Sequence, residues 1–534
     1  MTYPATRILA AWLVMMVMSA AAAAPEAHGQ QTPAALMTAA AARIPPQRAS
    51  DPTAQFRWTR SDSGDNDRGA LHWLLARLLH RAPAPVPKPD TWALVVAGLI
   101  GAGAIARRRA SLMRDRNLIV QRSSDAPRSR LAENITYCLA SLLLLPALHA
   151  RAQEAAKVTP FVEEILTSDD NVFRISKDVD PATVIGSRSR ADTYRTTSFG
   201  LSADVPVSLQ RLVGSLTFNS TRYQRFSALD FNGHEVRGSW LWQAGKDLRG
   251  EVGLSDAYSL ASFAQLLSTT PDELRVRQVF VNGAWMVTPH WRLRAAGDHL
   301  EQRNSDPATL FNDVNIDGFE ASLSRVSAAG NSIGCSARLE TGHFPTLQPL
   351  GAALIDNAYR QYTAGLTLDW TPSAVSHVVA RAAQVSRRYV QLPQRDFNGA
   401  IGRVEFTWTP TGKVALTAIA QRDISPYEYT RSSLVLLKGI GLRPTWRMTT
   451  KLELSADLEA LTRSYLADPA QALGLAGPTG QRDDTVRSMS ALLAYHPVPS
   501  VTVQASLLHE MRSSNVAFGD YAANVAWINA RLVF

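Results

Sequence analysis

The stretch WRMTTKLELSADLE, residues 446–459, alternates apolar or small residues with polar residues without a break. One set comprises Trp446, Met448, Thr450, Leu452, Leu454, Ala456 and Leu458, and the other comprises Arg447, Thr449, Lys451, Glu453, Ser455, Asp457 and Glu459. Successive side chains of a β-strand point to opposite faces. The period of two therefore predicts a strand with one apolar face and one face in contact with water.

The same alternation recurs along the C-terminal three-quarters of the chain. Trp291, Leu293 and Ala295 alternate with Arg292, Arg294 and Asp298, and the segment 501–510 repeats the pattern. After Gln153 no apolar run is long enough for a transmembrane helix, whereas the preceding leader directs the chain to the envelope. Because every backbone polar group must be paired in lipid, a closed β-barrel is the remaining way to span the membrane.

A soluble β-sandwich would also alternate, so the connections between strands decide between the two folds. Tight turns are predicted near Pro206, Gly245, Pro289, Gly330, Pro372, Pro410, Pro444 and Pro497. Longer polar connections lie between them, at residues 261–273, 303–313, 392–398 and 467–484. Short turns at one end and long loops at the other are typical of outer-membrane barrels.

The turns also predict the number of strands. Eight hairpins give sixteen strands, and a first strand near residues 161–166 and a last strand from Tyr521 to Phe534 raise the number to about 18, within a range of 16 to 18. The predicted fold is an all-β, antiparallel transmembrane barrel over residues 153–534. Both of its ends would then be periplasmic.

The last strand ends in a further signal. Ile528, Ala530, Leu532 and Phe534 share one face, and Asn529 and Arg531 share the other. An alternating strand that closes on phenylalanine resembles the signature recognised by the outer-membrane barrel-assembly machinery.

The leader divides into several pieces. Residues 1–30 are typical of a secretory signal, residues 31–85 of a low-complexity linker and residues 128–152 of a second signal peptide with a cleavage site at Ala150 and Ala152. The leader as a whole is expected to be largely disordered, with short apolar helical segments. Since two secretion signals in one chain are redundant, residues 1 to about 113 are interpreted as a fused neighbouring gene or an early start, with Met113 as an alternative start.

Between these signals, residues 86–110 combine Pro87, Pro89 and Trp92 with an apolar segment and the cluster Arg107, Arg108 and Arg109. This segment resembles the PEP-CTERM sorting signal recognised by exosortases, although Lys88 stands where that family has glutamate. An ordinary short membrane anchor is the alternative interpretation.

The charge of the chain does not indicate a nucleic-acid partner. The formal charge is +9, with 55 Lys and Arg against 46 Asp and Glu. Residues 1–152 hold 18 basic and 9 acidic residues, so 37 of each remain in the body of the chain. The basic surplus lies in the leader beside apolar segments, which is the pattern of membrane targeting.

The water-facing set predicts a polar lumen of mixed charge, lined by Arg292, Arg294, Asp298, Arg447, Lys451, Glu453, Asp457 and Glu459. Scattered histidines and the lack of a nucleophile motif give no catalytic, metal-binding or cofactor-binding set. Asp169, Asp170 and Asn171 lack the spacing of a calcium loop and are interpreted as a solvated turn at a strand end.

From Ala152 onward the sequence resembles the EpsL family of exosortase-associated exopolysaccharide outer-membrane proteins. The resemblance rests on residues 158–165, on Asp169-Asp170-Asn171-Val172-Phe173-Arg174, on the Trp-Thr-Pro turns and on residues 530–534. It implies an outer-membrane transporter that contacts lipid, carries an extracellular polysaccharide and works with periplasmic or inner-membrane export components. A general porin or structural barrel, and an outer-membrane hydrolase, are the alternatives.

Overall fold

The structure is a computed structural model that describes residues 156–266, 268–425, 434–466, 468, 473 and 481–534. The predicted signal segments, linker and sorting signal lie outside the described residues. So do Pro87, Pro89, Trp92, Arg107, Arg108, Arg109, Ala150 and Ala152. Among the described residues, no helix has the length and apolar character needed to cross a membrane.

Twenty strands and a few short helices make up the described chain. The strands are β1 (Lys157–Asp169), β2 (Asp192–Val207), β3 (Gln210–Tyr223), β4 (Phe231–Ala244), β5 (Leu248–Leu260), β6 (Glu273–Thr288), β7 (Trp291–Asn304), β8 (Val314–Val326), β9 (Ser332–His343), β10 (Gln348–Leu350), β11 (Ala353–Ile355), β12 (Tyr359–Ser373), β13 (Ser376–Tyr389), β14 (Phe397–Thr411), β15 (Val414–Ser425), β16 (Leu434–Arg447), β17 (Leu452–Leu466), β18 (Asp483–Val498), β19 (Val501–Ser514) and β20 (Tyr521–Val533). The helices are α1 (Pro181–Ile185), α2 (Phe263–Leu266) and three 3₁₀ turns at Ser227–Leu229, Leu310–Asn312 and Pro393–Arg395.

Eighteen of these strands form one antiparallel sheet that closes on itself. Each strand pairs with the next along the chain, β9 pairs with β12, and β1 pairs with β20. The remaining two strands, β10 and β11, form a separate small hairpin. The prediction of a barrel of about 18 strands is therefore confirmed. Closure leaves no free edge along the sheet, which is the condition for strands to stand in lipid.

The connections differ between the two ends of the barrel. Eight short turns join the strands at one end of the described barrel, and the connections at the other end are longer. Lys157 at the start of β1 pairs beside Asp204, near the end of β2, so the first strand begins at the short-turn end. We refer to the opposite end as the long-connection end. By the usual arrangement of bacterial barrels, the short turns are periplasmic.

The stretch that predicts the fold is not one continuous strand. Residues 448–451 form the turn between β16 and β17, and Arg447 pairs with Glu453 across it. Directly opposed residues of an antiparallel pair share a face. Because odd-numbered residues of β16 face odd-numbered residues of β17, the alternation continues unbroken through the turn. The turn predicted near Pro444 was therefore placed too early, since Pro444 lies inside β16.

Register shifts and outward-facing aromatic residues mark the short-turn end. The register shifts by one residue just before four of the short turns, between Trp370 and Ser373 and at the equivalent places on β6, β14 and β18. Outward-facing aromatic side chains lie around this end, namely Trp240, Trp285, Trp291, Trp408, Trp446 and Tyr495. An aromatic girdle of this kind marks a membrane interface.

Candidate functional site

The alternation of exposure identifies the interior of the barrel. On β20, Val525, Trp527 and Asn529 are buried, whereas Ile528 and Leu532 are exposed. Buried side chains at alternate positions of a closed sheet face the lumen, and exposed apolar ones face outward toward lipid. The residues of the predicted assembly signal, Ile528, Ala530, Leu532 and Phe534, all lie on this outward face.

On β7, the structure places the predicted lumen residues on the inner face. Arg292 and Arg294 are buried, and Arg294 lies 3.7 Å from Glu320 on β8. Both carboxylate oxygens of Asp298 accept hydrogen bonds from Arg338 on β9, at 2.7 and 3.0 Å.

The predicted residues of β16 and β17 divide into two groups. Arg447 lies 3.4 Å from Glu453, Arg443 donates to Asp457 at 2.8 Å, and Glu459 accepts from Gln421 at 3.3 Å. Lys451 was wrongly assigned to the lumen. It belongs to the turn after β16, and its Nζ donates to the main-chain oxygen of Pro497 in the neighbouring turn, 2.6 Å away.

Further ion pairs in the lumen were missed by sequence reasoning. One carboxylate oxygen of Glu340 lies 3.3 Å from Nε of Arg338, and the other accepts a hydrogen bond of 2.9 Å from the hydroxyl of Tyr359. Other inward pairs are Arg211–Asp204, Arg237–Glu235, Arg403–Glu405 and Arg531–Glu163. The sequence contains these opposite charges at alternate positions. The register between strands is needed, however, to show which of them are partners.

The lining is therefore ionic in composition and balanced in charge. Eight lumen arginines have an inward carboxylate within 4 Å, namely Arg211, Arg237, Arg294, Arg338, Arg403, Arg443, Arg447 and Arg531. A channel lined by one sign of charge would concentrate ions of the opposite sign. Paired charges produce little net field and leave a surface rich in hydrogen-bond donors and acceptors.

At the long-connection end, the β1–β2 connection folds into the lumen. Asn171 and Phe173 are buried, and the Asn171 amide donates to the main-chain oxygen of Ala522 on β20, 2.9 Å away. Phe173 packs against Phe226 and Phe263, with ring centroids 4.9 and 4.8 Å apart. The interpretation of Asp169, Asp170 and Asn171 as a solvated turn was wrong for Asp169 and Asn171, which are buried, whereas Asp170 is exposed.

Arg174 fixes the same connection to the inner wall. Its guanidinium lies 2.8 Å from Asp169 on β1 and 3.6 Å from Glu510 on β19. Burial alone would lower the pKa of Arg174, but the charges of these two carboxylates outweigh it and raise the pKa above its usual range. Arg174 adopts a φ of 56°, in the left-handed region, where a side chain other than glycine is uncommon.

The β5–β6 connection contacts a distant sector of the wall. The Ala264 carbonyl of α2 accepts a hydrogen bond of 2.6 Å from Nη1 of Arg512 on β19. Around the barrel, β19 and β5 are separated by six strand positions. For neighbouring strands about 4.8 Å apart, the two therefore stand on well-separated sectors of the wall. The connection thus reaches across the interior.

A second inward group lies beside β12 and β13. Arg387 is 1% exposed and stacks on the ring of Tyr359, with 3.8 Å from its Cζ to the ring centroid. Arg395 stacks on Tyr389 at 4.3 Å and donates to Asn357 at 2.8 Å, next to the β10–β11 hairpin. The lumen therefore has two levels. The lower level, toward the short turns, is lined by charged pairs, and the upper level, at the long-connection end, is narrowed by connections, tyrosines and buried arginines.

Comparison with known protein families supports a barrel in the C-terminal third of the chain. The family described as "Putative beta-barrel porin 2" matches residues 357–534. No curated protein matches the chain.

Among solved structures, the outer membrane protein OpdK from Pseudomonas aeruginosa is 9% identical, with a TM-score of 0.40 and coverage of 71% of this chain and 99% of that one. OccK2 (OpdF) from the same organism is 12% identical, with a TM-score of 0.39 and coverage of 71% and 98%. A BenF-like porin from Pseudomonas fluorescens is 10% identical, with a TM-score of 0.39 and coverage of 71% and 99%. Similarity at this level gives no correspondence between individual residues.

The closed 18-stranded sheet, its aromatic girdle and its polar interior define the class of protein. The chain is a closed β-barrel of the outer-membrane type, and its C-terminal third matches a family of β-barrel porins.

Proposed function

We propose that this barrel conducts a hydroxyl-rich hydrophilic solute across the outer membrane, and that the solute is an extracellular polysaccharide. The balance of charge in the lumen carries the proposal. Pairs such as Arg443–Asp457 and Arg338–Asp298 present donors and acceptors without a net field. Sugar hydroxyls can use both kinds of group, whereas a small ion gains little from a lining that is neutral overall.

The resemblance to the EpsL family supports the choice of polysaccharide among hydrophilic solutes. One of the segments that carry this resemblance, residues 169–174, lies in the connection that folds into the lumen. Its function would then be to narrow the channel at the long-connection end, so that an extended polymer chain passes and solutes wider than the constriction are retained.

Deletion of the gene, with complementation by the intact chain, tests this proposal. Secreted polysaccharide is expected to fall after deletion and to return on complementation. Unchanged polymer output in the deletion strain would contradict the proposal. The amount of polymer retained in the periplasm separates a block in export from a block in synthesis, since only a block in export leaves polymer behind.

A second candidate is a general porin for small hydrophilic solutes. The porin family that matches residues 357–534 favours this alternative. Liposomes that contain the purified barrel would then swell at similar rates in isotonic solutions of different small sugars and amino acids. A selective channel would discriminate between them.

A further inference from the structure

The two ends of the barrel differ in charge. We call the eight short turns, with the four strand residues nearest each turn and the matching ends of β1 and β20, the short-turn mouth. It holds 11 lysines and arginines against four aspartates and glutamates. The other described residues include 25 basic and 31 acidic ones. The positive excess therefore lies at one end of the barrel, although the described chain as a whole is nearly neutral.

Residues outside the described ranges do not remove this asymmetry. All eight short turns belong to the part of the chain that the structure describes. Residues 1–152 are themselves basic, and only Glu154 is charged between the predicted cleavage site and β1. Glu154 and a terminal carboxylate at Phe534 would still leave an excess of five positive charges at the short-turn mouth.

Most of these cations face the lumen. Arg249 on β5 stands opposite Ala284, which is buried, and Ala284 stands opposite Arg294 on β7. Since directly opposed residues share a face, both arginines lie on the inner wall, with Cα atoms roughly 10 Å apart. By the same alternation, the inward cations of the mouth are Lys157, Arg211, Arg249, Arg292, Arg294, Arg447 and Arg531.

The other four cations are three turn lysines and one outward arginine. Lys246, Lys413 and Lys451 belong to the turns themselves. Arg325 faces outward, because it stands opposite Trp291, which is 43% exposed on the outer wall. A surface that served to contact lipid headgroups would have its cations on the outer wall. Here ten of the 11 lie on the inner wall or in the turns around the channel entrance.

Three of these cations are accessible to solutes. Among the described residues, Lys246, Arg249 and Lys413 are exposed and enter no ion pair. Asp247 and Glu251 are the acidic residues next to them along the chain. Their positive charge is therefore open to a solute that approaches from the water outside the mouth.

The cations surround the entrance rather than cluster on one side of it. Lys246 lies in the β4–β5 turn and Lys413 in the β14–β15 turn, and eight of the 18 strand positions separate these turns around the barrel. The two lysines therefore stand on nearly opposite sides of the mouth. Farther along the lumen, carboxylates lie beside arginines, as in Arg443–Asp457. An excess of cations is thus a property of the entrance.

We propose that the short-turn mouth captures an anionic polysaccharide, one that carries oxyanion groups along its chain. The inference rests on the proposed function and narrows its substrate class. Lysine and arginine donate charge-assisted hydrogen bonds to oxyanions, and a channel entrance with one sign of charge raises the local concentration of the opposite sign. A polymer with repeated charges contacts cations on several sides of the entrance at once. The paired charges of the lumen then leave it free to move on.

Blockade of single channels by charged and neutral oligomers tests the proposal. The purified full chain is recorded in planar bilayers, with oligogalacturonate as the anionic probe and a dextran oligomer of equal length as the neutral probe, each added to either side in turn. Blockades by the anionic probe are expected to be about 10-fold more frequent, from one side of the bilayer only. In 1 M KCl the difference should vanish, because the Debye length falls to about 3 Å.

The triple variant Lys246→Gln/Arg249→Gln/Lys413→Gln removes the three accessible cations. The 10-fold ratio should fall to about fourfold, since the logarithm of the capture rate follows the net charge of the mouth. The frequency of blockade by the neutral probe should stay the same. Heat-modifiable migration on gels should show that the variant is folded.

The matched control is Lys177→Gln/Arg188→Gln/Arg360→Gln, which removes the same charge at exposed positions of the long-connection end. It should leave the 10-fold ratio unchanged. Equal losses in the two triple variants would overturn the proposal, as would equal blockade by both probes in wild type. A wild-type ratio in the mouth variant would also overturn it and would leave lipid headgroups or an acidic protein as the partner. If neither probe blocks the channel, the proposed function fails as well.

Discussion

Arg512 on β19 donates a hydrogen bond of 2.6 Å to the main-chain oxygen of Ala264, although 248 positions separate the two residues in sequence. The same guanidinium donates to Gly519 at 2.6 Å and lies over the ring of Tyr521. A buried arginine with several fixed partners holds its neighbours in one arrangement. Arg512 thus couples the β5–β6 connection to a distant part of the barrel wall.

Arg512→Ala should loosen the β5–β6 connection. We expect a loss of about 2 kcal/mol in the free energy of unfolding, because the buried carbonyls of Ala264 and Gly519 lose their donor. Single-channel conductance in planar bilayers should rise as the constriction widens. Arg360→Ala, on the exposed outer surface, serves as the control and should change neither quantity. Wild-type conductance in the Arg512 variant would show that the connection does not limit the channel.

Phe173→Ala should release the β1–β2 connection from the lumen. The substitution removes the ring contacts with Phe226 and Phe263 and should lower the free energy of unfolding by about 3–5 kcal/mol. Limited trypsin digestion, which would cut after Lys177 or Arg188, measures the release. Val184→Ala, at an exposed position of the same connection, should leave the digestion pattern unchanged. Equal protease resistance in both variants would refute the anchoring role of Phe173.

The pair Arg447 and Glu453 tests whether balanced charge sets ion selectivity. Glu453→Gln removes a negative charge near the short-turn end and should shift the channel toward anions, while Arg447→Gln removes a positive charge and should shift it toward cations. Both side chains are about one-third exposed, so each change should cost no more than about 1 kcal/mol of stability. Reversal potentials in a KCl gradient give the sign. Shifts in the same direction would contradict a balanced lining.

Asp313, in the β7–β8 connection, should make stability depend on pH. Burial raises the pKa of its carboxyl, although hydrogen bonds from the main chain and side chain of Asn304 oppose the shift. Because the folded-state pKa exceeds the unfolded one, this group stabilises the fold below its unfolded pKa. That contribution is lost as pH rises through the folded pKa. The free energy of unfolding in urea, measured across this pH range, should fall with rising pH in wild type and fall less in Asp313→Asn. An identical pH dependence in the two proteins would contradict this prediction.

The sequence was sufficient for the barrel and for the two faces of its wall. Alternation depends only on the period of the strand, so it identified Asp457 as inward and Leu454 as outward without knowledge of any partner. Prolines and glycines located the short turns, except at Pro444. There, the alternation continued through the turn and gave no boundary.

The upper level of the lumen could not be predicted in the same way. The contacts of Phe173 with Phe263, and of Arg512 with Ala264, join segments far apart in the chain, and no local period encodes them. Polar residues in a connection are normally solvated, so Asn171 gave no sign of burial. Lys451 was assigned to the wrong place because alternation indicates a face only for residues that lie in a strand, and Lys451 lies in a turn.

Single-channel recording of the purified, heat-modifiable barrel in planar bilayers, with oligosaccharides cut from the producing cell's own polysaccharide, tests the central claim most directly. We expect discrete conductance steps and reversible blockades whose frequency rises with oligosaccharide concentration. A folded barrel that shows no conductance, or whose conductance is unaffected by the oligosaccharides added to either side, would contradict it.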